Sequence, residues 1–314
     1  MKDKRKHLIY PIFLPMQGCP RLCIYCDQNK ISGSADFDLS SSVKGAAEFV
    51  QRHIGKEKEI AFYGGTFTAL EEDFRDELIQ AYRAVSDEQT SFRISTHPSY
   101  IDDAILDWCE AAGIKCIELG IQDFDDEVLK QSGRGYSHAE AMNASKLVKE
   151  RGFELGVQLM PGLPGASESS IQRNKSALEE LKPEYLRLYP LIVVKGTPLA
   201  QMYERGEYLP MALEEAISQC AAYLELTHRL GIKVIKLGIP SNIAESDILA
   251  GPWHPAFGEL VKAEILVRRL EIESPPGQII YLDKKQYALL MAHDALYLKI
   301  LQKRIENCSI MPTE

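Results

Sequence analysis

Along this chain, short apolar runs alternate with longer segments in which apolar residues recur every three or four positions. Residues 7–14 form a nearly continuous apolar run that stops at Pro15, the pattern of a buried strand. Ser40 to Ser42 supply helix N-caps ahead of Val43, Ala46, Ala47, Phe49, Val50 and Ile54 at helical spacing. Residues 59–63 predict a second strand, broken by Gly64-Gly65 and followed by a helix. The order then repeats: strand 91–96, helix 101–112 stopped by Gly113, strand 114–121, helices 125–131 and 137–151, strand 153–159, helix 167–181, strand 184–189. Strands alternating with helices predict an α/β fold with a parallel sheet and right-handed crossovers, and six such units make a partial barrel.

A further helix, 212–230, and strand, 233–238, continue the pattern, after which its character changes. Ile239-Pro240-Ser241-Asn242 and Gly251-Pro252-Trp253-His254-Pro255 read as irregular chain. Helix 257–270, strand 278–282 and helix 284–305 follow, so the sequence divides into a barrel over 1–245 and an extension over 246–314. Leu289, Leu290, Met291, Ala295, Leu296, Leu298 and Leu301 are expected to dock the last helix on the barrel.

Composition narrows the class. The chain has 314 residues, 45% hydrophobic and 26% charged, as in a water-soluble globular protein with a large core. No apolar run is long enough to span a membrane and no secretion signal is evident, so a cytoplasmic protein is expected. A net charge of −9 gives no global field for nucleic acid. Lys2, Lys4, Arg5, Lys6 and His7 form the one local basic cluster, and a chain end of this kind is ordinarily solvated.

The candidate chemistry lies after the first strand. Cys19, Cys23 and Cys26 place three of the seven cysteines within one short loop containing Gly18 and Pro20. Loops seldom bury cysteine for packing, so three thiols here suggest metal ligation. A four-thiolate zinc site lacks its fourth ligand, and an odd count in a long chain argues against a disulfide framework. A cubane iron–sulfur cluster on three thiolates would keep one iron open. Cys109, Cys116, Cys220 and Cys308 are scattered, predict no second cluster and read as structural thiols.

The Cx3Cx2C loop, with Tyr25 before its last cysteine, resembles the signature of the radical S-adenosylmethionine superfamily. The resemblance implies an open six-unit (βα) TIM-like barrel with a [4Fe-4S] cluster on the loop after the first strand. It implies chelation of S-adenosyl-L-methionine by the open iron, and reductive cleavage to methionine and a hydrogen-abstracting 5′-deoxyadenosyl radical. Gly64-Gly65-Thr66 falls where the family holds the methionine amino group, commonly with Gly-Gly-Glu; Thr66 here replaces the acid. Gly120 to Asp125, Gly133-Arg134 and Gly162-Leu163-Pro164-Gly165 resemble the branch containing oxygen-independent coproporphyrinogen oxidase. By that likeness Ser95 and Gln122 contact the ribose, Arg134 the methionine carboxylate, and Gln158 stands where an acidic contact is usual. The plain alternatives are a solvated helix-end arginine and ordinary barrel polar residues.

Arg187 to Leu199 and Met202 to Tyr208 are similar to the catalytic subunit of the elongator complex. The acetyltransferase domain that follows in that family is not expected in about fifty remaining residues. The resemblance implies an oxygen-sensitive enzyme, a flavodoxin- or ferredoxin-type reductant, and tRNA or another RNA as substrate. A small metabolite, or a cluster-binding module without turnover, is the competing reading. His97 before Pro98 is a further site candidate, and His254 beside Trp253 reads as a residue that shapes its Gly/Pro-rich loop, with lining a substrate opening as the alternative. Lys195 and Arg187 read as surface charges, with phosphate contact as the alternative.

Overall fold

The computed structural model describes residues 8–14, 19, 23–27, 37–239, 243–305 and 308–313. The basic residues from Lys2 to His7, Gly18 and Pro20 of the cysteine loop, and Pro240 to Asn242 lie outside the described residues.

A seven-stranded parallel sheet forms the frame, with strands β1 (Ile9–Phe13), β2 (Lys58–Tyr63), β3 (Thr90–Thr96), β4 (Ile114–Gln122), β5 (Glu154–Leu159), β6 (Tyr185–Leu188) and β8 (Lys233–Leu237) in that spatial order. Every neighbouring pair in it is parallel. The helices between them are α1 (Leu39–Arg52), α2 (Glu72–Arg83), α3 (Asp103–Ala111), α4 (Asp126–Gln131), α5 (His138–Glu150), α6 (Glu168–Leu181) and α8 (Leu213–Leu230). The expected βα order is therefore present, with a seventh strand added beyond six units. Among the described residues β1 and β8 end the sheet and do not pair, so the barrel stays open.

Period-two alternation explains what each face buries. Ile60, Phe62, Phe92, Ile94, Ile117, Leu119, Leu155, Val157, Leu186 and Leu188 point outward into one continuous core with helix residues such as Leu78, Tyr82, Leu106 and Leu178. The intervening positions face inward, and Glu59, Arg93, Glu118 and Arg187 among them carry charge. Glu118 on β4 reaches Tyr63 on β2 and Arg187 on β6. A side chain can touch strands on both sides in this way only if the sheet curls round it.

Two short strands, β7 (Val193–Val194) and β9 (Ile248–Ala250), pair antiparallel, and α7 (Pro198–Glu204) follows the first of them. All three fall in stretches the apolar pattern did not resolve. A second core unites Ala216, Ile217, Cys220 and Ala221 of α8 with α9 (Phe257–Glu273), β10 (Ile279–Leu282) and α10 (Lys284–Arg304). β11 (Ser309–Pro312) pairs parallel with β10. Leu290 and Leu301 are buried as expected, but Met291 and Leu296 are exposed. α10 is interrupted over Ala292 to Ala295, where the backbone leaves helical geometry, so one helical spacing does not run through the whole segment. Cys109, Cys116 and Cys220 are buried, and burial pushes the Cys109 and Cys220 thiols up to about 12, as inert structural thiols require.

Candidate active site

The cysteine loop leaves the C-terminal end of β1 and is clamped from three sides. Cys26 N–H donates to the Cys23 carbonyl at 3.0 Å, closing a turn around Tyr25. Ile24 N–H reaches the Ser132 carbonyl past the end of α4 at 3.3 Å, and Leu199 N–H reaches the Ile24 carbonyl at 2.8 Å. Buried Tyr25 packs with Val128, Leu163, Leu191, Val193 and Leu199, against which Cys23 and Cys26 also rest. Cys19 Sγ lies 3.5 Å from Thr66 Oγ1, which ties the loop to the turn after β2.

Arg134 is the hub. It is buried, with 6% exposure, and so is not a solvated helix-end cation. Its Nη1 donates to Cys23 Sγ at 3.0 Å and to the Tyr25 hydroxyl at 3.4 Å; its Nε donates to the Tyr136 hydroxyl at 3.2 Å. Nη2 donates to the Gly120 carbonyl, and Tyr136 donates to the Ile121 carbonyl. None of these partners is a carboxylate.

Gln122 sits next to this hub in a left-handed conformation, φ 71°, at a register irregularity of β4. Such backbone costs about 1–3 kcal/mol and persists only where neighbours hold it. Here Met160 N–H donates to the Gln122 carbonyl at 2.8 Å. Beyond it, Asp123 accepts from Asp125 N–H at 2.7 Å and from Asn174 Nδ2 at 2.8 Å, while Asn174 Oδ1 accepts from Phe124 N–H at 2.7 Å. Burial pushes the Asp123 carboxyl up to about 6. The left-handed turn brings Gln122 Oε1 to 3.2 Å from Gln158 Nε2, so the two glutamines act as a pair. Ser95 lies on the inner face of β3, register partner of Glu118.

Gly64 and Gly65 have φ of 93° and 57°. A β-carbon at Gly64 would overlap the Leu14 carbonyl oxygen. Gly64→Ala is therefore expected to lower stability by about 2 kcal/mol or more, measured as a shift in the urea midpoint. An unchanged midpoint would contradict this packing.

A family model described as the radical SAM superfamily matches residues 13–175, more than half of the chain. The chain belongs to the radical SAM superfamily. It is accordingly a radical SAM enzyme, of a family that uses a [4Fe-4S] cluster and S-adenosyl-L-methionine. A second model, the Radical_SAM C-terminal domain, matches residues 183–268. The tRNA uridine(34) acetyltransferase of Methanocaldococcus infernus is 31% identical over 228 residues, 65% of this chain and 42% of that protein. The chain thus spans less than half the length of that relative. The solved structure of archaeal Elp3 from the same organism aligns with a TM-score of 0.67 at 22% identity, over 85% of this chain and 63% of that one. Coproporphyrinogen III oxidase from Escherichia coli aligns with a TM-score of 0.56 at 22% identity, over 72% and 53% of the two chains. These two likenesses establish the fold.

The residues present fit the radical SAM cofactors. A cubane takes one thiolate per iron, so three cysteines spread along one clamped loop suit it. Among the described residues no three His, Cys, Asp or Glu side chains converge on a single-ion site. Among the described residues, the hydrogen-bond partners of the buried Arg134 guanidinium are neutral oxygens and a cysteine sulfur, and a thiolate or a ligand carboxylate would supply a counter-charge.

The remaining candidates separate. His97 lines the site, its ring edge-on to Tyr136 at 4.8 Å. His254 stands against His293 at 5.2 Å, and its Nδ1 accepts from Ala256 N–H, so it shapes the loop before α9. Lys195 is exposed, as a surface charge should be. Arg187 is not a surface charge: it faces the lumen and pairs with Glu118. Sequence reasoning assigns no role to Tyr136 and Asn174 and takes Asp123 only as part of the Gly120 to Asp125 stretch, because their contacts join positions far apart in the chain or run to backbone groups.

Proposed function

We propose that Cys19, Cys23 and Cys26 hold the [4Fe-4S] cluster and that S-adenosyl-L-methionine lies across Gly64, Gly65, Thr66, Ser95, Gln122, Arg134 and Gln158. The observation that carries this reading is Arg134, which joins the cysteine loop to the strand-end cradle with no carboxylate partner among the described residues. When bound, these cofactors supply one-electron reductive cleavage of a carbon–sulfur bond and hydrogen abstraction.

The chain's own residues bind, orient and shield. Arg134 is suited to hold the methionine carboxylate while keeping Cys23 in place. The Gly64-Gly65 turn offers backbone carbonyls to the ammonium. Thr66 keeps its hydroxyl on Cys19 and lends no carboxylate, a departure from the family pattern. Ser95 and the Gln122–Gln158 pair present neutral donors and acceptors to the ribose hydroxyls. Tyr25 and the apolar cluster around it exclude water from the cysteine side. The electron comes from a flavodoxin- or ferredoxin-type protein, and the substrate is tRNA or another RNA, supported by the name of the relative described above.

Anaerobically reconstituted protein supplied with S-adenosylmethionine and a strong reductant is expected to release 5′-deoxyadenosine. An intact cluster spectrum without product would favour the binding-module reading. A colourless protein carrying zinc would remove the proposal. For RNA, the association constant should fall steeply with added salt; a flat response would leave a small metabolite as the substrate class.

A further inference from the structure

The lumen of the barrel contains a charge network that the cofactor reading leaves unused. Glu118 is its centre: Oε1 accepts from Arg93 Nη1 at 2.8 Å and Arg187 Nη2 at 3.2 Å, and Oε2 accepts from Arg187 Nε at 2.5 Å. The Tyr63 hydroxyl reaches Oε1 at 3.3 Å. Glu59 closes the other side of Arg93, with contacts of 2.6 and 3.1 Å. Both carboxylates are thus committed to guanidinium groups.

Lys236 on β8 is the register neighbour of Arg187 and faces the same way. Among the described residues no carboxylate lies within ion-pair distance of its ammonium, although it is partly buried. Burial, and then the nearby Arg187 guanidinium, hold its pKa below the ordinary lysine value. Two cations side by side and partly out of water carry an electrostatic cost that an added anion would offset. The Tyr189 hydroxyl accepts from Arg187 Nη1 at 3.2 Å and so keeps its own proton to donate, whereas the Tyr63 O–H is spent on Glu118.

We propose that Lys236, with Arg187 and the Tyr189 hydroxyl, forms a binding subsite for an oxyanion of the substrate, a carboxylate or a phosphate. The placement suits a substrate anchor. On its other side Arg187 is in register with Gln158, which the proposed function places against S-adenosylmethionine. Lys236 therefore stands two strand spacings, roughly 10 Å, from that cradle. This inference rests on the proposed function only for its role in turnover; the anion subsite itself is testable without any chemistry.

The test is pulse acetylation of the reconstituted 314-residue chain with acetic anhydride, read by peptide mass spectrometry. Lys262 on the exposed side of α9 serves as the internal reference. Lys236 is expected to acetylate in the ligand-free protein and to be protected about tenfold by a saturating oxyanion. Orthophosphate, uridine 5′-monophosphate and succinate are the probes, with uncharged uridine as control. Protection by the phosphates assigns a phosphate-bearing substrate, and protection by succinate assigns a carboxylate. The rise in melting temperature produced by the protecting anion should vanish in Lys236→Met. Equal labelling with and without every anion, equal protection by uridine, or an unreactive Lys236 in the free protein would each overturn the proposal. None of these outcomes touches 5′-deoxyadenosine formation, so failure here and failure of the cofactor reading are distinguishable.

Discussion

Cys23→Ala is expected to abolish 5′-deoxyadenosine formation and to strip most of the iron from the reconstituted protein. The effect exceeds that of losing one ligand, because Cys23 is also the sulfur against which Arg134 Nη1 rests at 3.0 Å. Removing it leaves a buried guanidinium with one partner fewer, on the side where the cysteine loop must be held. Loss of an outer-shell partner alone typically costs about 10–100-fold, and loss of a ligand together with its partner should cost at least about a thousandfold. Cys308→Ala is the matched control, since Cys308 packs beside the second core and should leave iron and product intact. Iron and sulfide assays beside product chromatography decide the matter. A Cys23→Ala protein that kept both cluster and product would remove this loop from the active site.

Glu118→Gln is the second large effect, and it concerns the frame. Glu118 neutralises Arg93 and Arg187 together, and only Arg93 has another acidic partner, Glu59, among the described residues. An amide keeps the shape, loses the charge and turns an N–H₂ toward a guanidinium. Breaking a buried pair from one side costs about 3–5 kcal/mol, a large share of the roughly 5–15 kcal/mol that a domain has. The denaturant midpoint should fall accordingly. Adding Arg187→Gln should recover part of the loss, because the stranded cation is then gone. A single substitution costing under about 1 kcal/mol would show that the network is solvated rather than buried.

The strands of the barrel were legible because their outward positions are strongly apolar and because Gly or Pro stops the intervening elements. The cysteine loop was legible because three thiols in one loop have few other uses. Arg187 was misread for a reason of geometry. From sequence it is a single cation near a strand end, and only the curl of the sheet brings Glu118 from two strands away. Arg134 was assigned to the site by likeness alone; its burial and its contact with Cys23 link positions 111 apart in the chain. The break in α10 left no trace, since Ala292-His293-Asp294-Ala295 contains neither Gly nor Pro. β7 and β9 have two and three residues, too few for alternation to be read.

Helix α8 belongs to both hydrophobic cores. Tyr223 and Leu226 pack into the barrel, while Ala216, Ile217, Cys220 and Ala221 pack into the C-terminal helices. A fragment ending at residue 245 would keep the helix and bare its second side to water, a strip of small and branched apolar side chains inviting aggregation. The two halves should therefore melt in a single cooperative transition, and amides of α8 should exchange with solvent only when the whole chain opens.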